Sequence, residues 1–381
     1  MPITLVMGTP PNKAAGLLSD YCSLEGDIAA RLSDTERLTF VGGDDLSKLF
    51  RRLERSSLGL SFKDLLSSLD ESKISRYLDF YDAYNQSNSA ESLFGIPKGI
   101  ITPKIIPVHG LSEEGEIVDL EYQSAFESQH PQFKSIQASI PENNNIRVRY
   151  WRHHQGSRTT LVCVHGWTMN DQRVQALAFL PGIYFKLGFD VALFELPFHG
   201  RRLNSEFRDA GHTLFPSSNV MITNESILQS VSDLRQLKLI LRALGVKKVG
   251  ALGVSLGAYI STIWSCFDQL ECGIMMLPFS SFANLACYHA KKEKLSLSEQ
   301  ELEKLHKSFN FHSPLNFNSI TDSQRLMFVS STYDSVIPCS EVESLKSKYQ
   351  NAQFVSVAGD HSVSLERDKL LEATGGFLSK F

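Results

Sequence analysis

Residues 253–257 read Gly253-Val254-Ser255-Leu256-Gly257, at the junction between the apolar run "KKVGALGV" and the segment "LGAYISTIWSCF". A serine hydroxyl is a weak nucleophile unless a neighbouring base takes its proton and a third group orients that base. Two later positions carry suitable side chains. Asp334 follows the apolar run "RLMFVSS", and His361 follows "AQFVSVAG". Attack on an acyl carbonyl also requires two N–H groups aimed at the developing oxyanion. The backbone N–H of Leu256, directly after the serine, is one candidate. The two glycines fit a tight reversal, in which neighbouring backbone presses on the positions two before and two after the serine.

These groups meet only if the elements carrying them are arranged correctly. From about residue 115, short apolar runs alternate with helical patterns. "TTLVCVHG", "FDVALFELP", "KKVGALGV", "CGIMMLPF", "RLMFVSS" and "AQFVSVAG" are the runs. Helices are expected near 224–245, 256–267, 340–350 and 366–379. Continuous apolar runs of this kind mark strands buried on both faces, and the alternation predicts a mostly parallel, doubly wound α/β sheet with flanking helices. Ahead of them, "EIVDLEYQSAF" alternates as a strand does, and "KSIQASIPENNNIRVRYWRHH" predicts two strands about the Pro-Glu-Asn-Asn-Asn turn. Residues 15–87 carry Leu, Phe and Tyr at three- and four-residue spacing and read as helices. "FGIPKGIITPKIIPVHG" reads as a connector lying along the main domain. The expected division is a helical N-terminal extension over 1–113, packed on a main domain over 114–381 that carries a helical cap insertion at about 283–317. The polar stretch 201–223 is a second interruption. Insertions after strand carboxyl ends cover the ligand crevice of such sheets.

Composition narrows the function class. Of 381 residues, 42% are hydrophobic and 21% charged, and the net charge is −4. That balance lacks the basic field of a nucleic-acid binder. Six cysteines lie scattered without a C-x-x-C pair, which points to a reducing, cytoplasmic setting and no zinc site. No segment approaches the roughly 20 apolar residues of a membrane span, so no stable membrane insertion is expected. The histidines show no metal-ligand spacing, and no glycine loop fit to cradle a phosphate is present. No cofactor and no metal are expected.

Taken together, "HGW", "GVSLG", "TYDSVIP" and "GDHSV", in this order and on these elements, resemble the α/β-hydrolase superfamily over roughly 115–381. The resemblance implies Ser255 as nucleophile, His361 as general base and then acid, and Asp334 as the orienting carboxylate. His165-Gly166-Trp167 is similar to the superfamily's His-Gly-X signature, which implies the Trp167 N–H as the second oxyanion donor beside Leu256. Asp360 is tethered to the same turn as His361, and neighbouring residues on an extended loop point apart. "ELPFHGRR" resembles a Pro-x-His-Gly loop at the active-site rim, so Phe198, His199 and Arg201 are candidate substrate contacts. Arg201 and Arg202 fit either an anionic group on the substrate or loop salt bridges. Phe198, Phe207, Phe215, Tyr288, Phe309 and Phe311 hint at an apolar acyl group. The expected activity is cleavage of a small-molecule acyl ester or thioester through an acyl-enzyme. An acyltransferase, a peptidase or a non-catalytic binding protein on the same fold stands as the alternative.

Overall fold

The computed structural model describes residues 80–81, 93–95 and 101–381, apart from 112, 156–157, 168, 206–207, 209–212, 218, 293, 295–296 and 362–364. The helices expected over 15–87 lie outside the described residues except at Phe80 and Tyr81. Strands β1 (Lys104–Leu111), β2 (Gly115–Gln123), β3 (Asn145–His153), β4 (Thr159–Val164) and β5 (Asp190–Phe194) precede β6 (Lys248–Val254), β7 (Gly273–Met276), β8 (Leu326–Ser331) and β9 (Gln353–Val357). They form one nine-stranded sheet in the order β1-β2-β3-β5-β4-β6-β7-β8-β9. The first three pairings in this order are antiparallel and the rest parallel.

The helices are α1 (Pro131–Ser139), α2 (Gln172–Phe179), α3 (Pro181–Lys186), α4 (Val220–Ala243), α5 (Leu256–Phe267), α6 (Phe282–Lys292), α7 (Glu299–Asn310), α8 (Cys339–Lys348) and α9 (Arg367–Leu378). Successive strand residues point to opposite faces, and the core divides accordingly. Val162 and Val164 of β4 pack with α4 and α5 on one face, while Leu161 and Cys163 pack with α2, α3 and α9 on the other. This two-sided burial is why β4 is apolar or hydroxyl-bearing at every position. The strand order reverses at β4, which has β5 on one side and β6 on the other. The crevice at the carboxyl ends of β4 and β6 is therefore the natural ligand position.

Three local expectations change. The stretch expected as a strand before the Asn-rich turn is helix α1, and only β3 after it is a strand. Its Ile136 and Ile140 suit either period, but Phe133 completes a helical face and is fully buried. Both flanks of β3 are already taken by β2 and β5. The expected connector contains β1, which hydrogen-bonds to β2 with a register irregularity between Pro107 and His109. Proline is tolerated there because β1 is an edge strand. Among the described residues the sheet thus begins at Lys104, ahead of the boundary expected at 113. Finally, α2 and α3 fill the crossover between β4 and β5, which the sequence pattern does not mark as helical.

Among the described glycines, backbone approaches most closely where α5 begins. A Cβ on Gly257 would lie 1.9 Å from the Val164 carbonyl oxygen and 2.6 Å from that of His165, and one on Gly253 would lie 2.4 Å from the Gly257 oxygen. These neighbours are backbone and cannot swing away. Gly257→Ala is expected to cost about 3 kcal/mol or more of stability. Gly375→Ala in α9, where a Cβ meets nothing within 4 Å, should instead gain about 0.5–1 kcal/mol from the lower entropy of the unfolded chain. Urea denaturation of both variants measures this, and a Gly257→Ala protein as stable as the parent would contradict it.

Candidate active site

Strand β6 ends at Val254, and Ser255 caps the N-terminus of α5 with φ 53° and ψ −114°. This is a sparsely populated backbone region for a residue with a side chain, and it persists only where the surroundings enforce it. Two hydrogen bonds do so here. The Ser255 N–H donates to the Met276 carbonyl (2.8 Å) at the end of β7, and the Tyr259 N–H donates to the Ser255 carbonyl (3.0 Å). Together with the contacts of Gly253 and Gly257, they seat the serine at the junction of three strand ends.

His361 lies in the loop after β9, and its Nε2 is 3.0 Å from the Ser255 Oγ. Its Nδ1 is 2.8 Å from Asp334 Oδ2. Both side chains of this pair are nearly buried, at 6% and 3% exposure. The other carboxylate oxygen of Asp334 accepts from the N–H groups of Val336 (2.8 Å) and Ile337 (2.9 Å). Burial by itself would raise the Asp334 pKa, but the charge and hydrogen bond of His361 and these two N–H groups together hold it below the ordinary carboxylate value. Asp334 therefore stays ionised at neutral pH. Its contribution to stability is present above the ordinary carboxylate range and is lost as pH falls through its lowered folded value. The imidazole is thus bonded to Asp334, in the loop after β8, and can accept a proton from Ser255 while donating from Nδ1. The two backbone donors on Asp334 could not have been found from side-chain identity.

The loop after β4 runs beside the start of α5, since Val164 and His165 are the residues that Gly257 abuts. His165 is fully buried and spans two loops. Its Nδ1–H donates to the Gly166 carbonyl (2.8 Å), and its Nε2 accepts from the Leu196 N–H (3.0 Å). Burial, together with nearby His199, keeps it neutral. The Gly166 N–H donates to the Met169 sulfur (3.3 Å), and Gln175 holds the Met169 carbonyl (2.9 Å), which fixes the loop carrying Trp167. Leu256 is the first helical residue of α5, and such N–H groups have no intrahelical acceptor.

The remaining candidates sit elsewhere. Phe198 is fully buried in the core, and so are Phe215, Phe309 and Phe311, so these aromatics pack the interior. Phe207 lies outside the described residues. His199 is wholly buried, with its Nδ1–H on the Pro197 carbonyl (2.9 Å), and burial lowers its pKa to about 4. The Arg201 side chain is exposed, and its backbone N–H donates to Glu195 (3.2 Å). Arg202 makes the loop salt bridge, deep inside, to Asp233 of α4 (2.7 Å, both side chains 0% exposed). It also donates to the Asn143 and Glu195 carbonyls. His153 pairs with Asp190 (2.7 Å) and stacks on Phe185. Among the described residues no cluster of His, Cys, Asp and Glu could hold a metal ion, and no helix is long and apolar enough to cross a membrane.

The arrangement of strands and crossing helices is shared with solved structures. One is acetyl xylan esterase 1 from Thermoanaerobacterium sp. JW/SL YS485, with a TM-score of 0.50 and 15% identity, covering 81% of this chain and 93% of that one. Another is the acetyl xylan esterase from Paenibacillus sp. R4, with a TM-score of 0.51 and 13% identity, covering 80% and 94%. The chain has the α/β-hydrolase fold. No family model matches it, and no curated protein does. At these identities the likeness concerns the fold of this hydrolase-fold chain and leaves its chemistry to the site itself.

The strained serine generates a test of the geometry. Glycine usually destabilises relative to alanine by about 0.5–1 kcal/mol, but at φ 53° it alone escapes the Cβ penalty. Ser255→Gly is therefore expected to melt no lower than Ser255→Ala. A Gly variant clearly less stable than the Ala variant would show that the turn is unstrained.

Proposed function

We propose that this protein is a serine hydrolase acting on a carboxylic ester or thioester through an acyl-enzyme on Ser255. The observation that carries the reading is the imidazole of His361 held between the Ser255 hydroxyl (3.0 Å) and the Asp334 carboxylate (2.8 Å). His361 Nε2 takes the hydroxyl proton as Oγ attacks the carbonyl carbon, and the resulting imidazolium is stabilised by the adjacent carboxylate. The N–H groups of Leu256 and Trp167 are assigned to the oxyanion. Collapse of the tetrahedral intermediate expels the alcohol or thiol, which takes the proton from His361. Water, activated by the same imidazole, then releases the acid and restores the serine. That both structural neighbours are named esterases agrees with the ester reading. Acyl transfer to another acceptor uses the same groups, and a competing alcohol added to the assay distinguishes it from hydrolysis.

A fluorophosphonate probe should label Ser255 of the parent and leave Ser255→Ala unlabelled and inactive toward short acyl esters. Labelling that persists in Ser255→Ala would sink the assignment. Asp334→Asn should lower turnover by about 10⁴, since the amide favours the wrong imidazole tautomer, whereas Asp360→Asn should cost roughly tenfold or less. The reverse ranking would identify Asp360 as the acid.

The pH profile provides a separate check. With Asp334 held ionised by its partners, kcat/KM should fall on acidification with the slope of a single proton, that of His361. A two-proton slope, or a rate that stays flat into acid, would contradict this.

A further inference from the structure

We propose that the cap helix α6 positions the acid of the triad, with His289 as the positioning residue; this rests on the serine-hydrolase reading above. The loop 332–338 links β8 to α8 and carries Asp334. Within it, the Asp334 carboxylate takes the N–H groups of Val336 and Ile337, which closes the turn from one side. Two carbonyls of the same loop are taken by α6. His289 Nε2–H donates to the Val336 carbonyl (2.9 Å), and the Lys292 ammonium donates to that of Ser335 (2.9 Å).

The other end of α6 is fastened to the same segment. The Glu341 carboxylate, in the first turn of α8, accepts from the Ser280 N–H (2.8 Å), the Ser280 hydroxyl (2.6 Å) and the Ser281 N–H (2.9 Å). Residues 334–341 are thus held at both ends of one helix. The imidazole of His289 is buried and the Lys292 side chain is exposed, so His289 makes the bond that solvent competes for least. Around it, α6 packs on α7 through the Phe282–Phe309 stack. The insertion is therefore built as a brace between the cap and the acid loop. His289 touches no reacting atom and acts through Asp334.

The test compares His289→Phe, which keeps a ring but loses the donor, with His289→Gln, which restores an N–H near the same reach. His289→Phe is expected to lower kcat by roughly 10- to 100-fold, the cost of a misplaced catalytic group, with KM nearly unchanged. His289→Gln should recover to within about threefold of the parent. In an Asp334→Asn background, followed by the slow rate of fluorophosphonate labelling, His289→Phe should cost less than about twofold, because the carboxylate it positions is gone. A parental kcat in His289→Phe would overturn the proposal. So would an equal loss in both backgrounds, which would make His289 a general packing residue. If His289→Phe does not fold, Lys292→Met removes the second bond from an exposed position and should lower kcat by about two- to fivefold at constant KM, and an unchanged kcat there would equally overturn the proposal. Failure of the serine-hydrolase reading appears separately, as labelling that survives in Ser255→Ala.

Discussion

The close approach of α5 to the end of β4 is the constraint on which the site depends. Two glycines let backbone meet backbone where any Cβ would collide with a carbonyl. That contact sets the pitch of the reversal after β6 and forces Ser255 into a positive φ. The hydroxyl is thereby presented at the carboxyl edge of the sheet, and the first N–H groups of α5 lie beside the loop of Trp167. The cost of the strain is of order 1–3 kcal/mol, and it is offset by the Met276 bond and by the fully buried apolar flank of α5.

Electrostatics around this turn follow from burial. Polar groups taken out of water need partners, and three buried histidines each bond at least one ring nitrogen while staying neutral. His165 ties two loops, His199 caps a carbonyl, and His312 lies between Tyr259 and Asn224, with burial lowering its pKa to about 3. Asp334 takes the opposite course, since its imidazole partner and two backbone donors outweigh burial and keep it charged. The site therefore sets one persistent carboxylate against a histidine able to exchange a proton with Ser255, within surroundings whose own imidazoles resist protonation.

The same logic accounts for the scaffold around α4. This helix is buried along nearly its whole length yet carries Glu225, Asp233, Arg235 and Lys238. Each is matched: Glu225 by Tyr81 and Ser128, Asp233 by Arg202 and Ser124, and Arg235 and Lys238 by Asp268. Removing one member of the Arg202–Asp233 pair would strand a charge in the core, so such pairs serve to specify position more than to add net stability. Tyr81 also stacks on Phe311, so its ring lies between α4 and the end of α7.

What the sequence by itself determined was the order of the parallel strands β4 to β9 and the candidate residues that follow β6, β8 and β9. Strands such as β4 and β6 are buried on both faces, so their apolar runs announce them, and Gly253 answers a steric demand local to five residues, whereas Gly257 also makes room for the distant end of β4. Asp334 and His361 were legible because each lies in the short loop after an apolar strand, β8 and β9. Tertiary structure decided what depends on distant partners. Residues 131–139 became helix because both flanks of β3 were occupied, and Lys104–Leu111 became a strand because β2 had an open edge. Arg202, in a polar loop, went inside because Asp233 waited on α4, and Phe198, Phe215, Phe309 and Phe311 became core instead of rim. The bonds from His289 and Lys292 to the acid loop join backbone carbonyls to a helix more than forty positions away in the chain. Carbonyl acceptors are the same at every residue, so no pattern of side chains could have marked them.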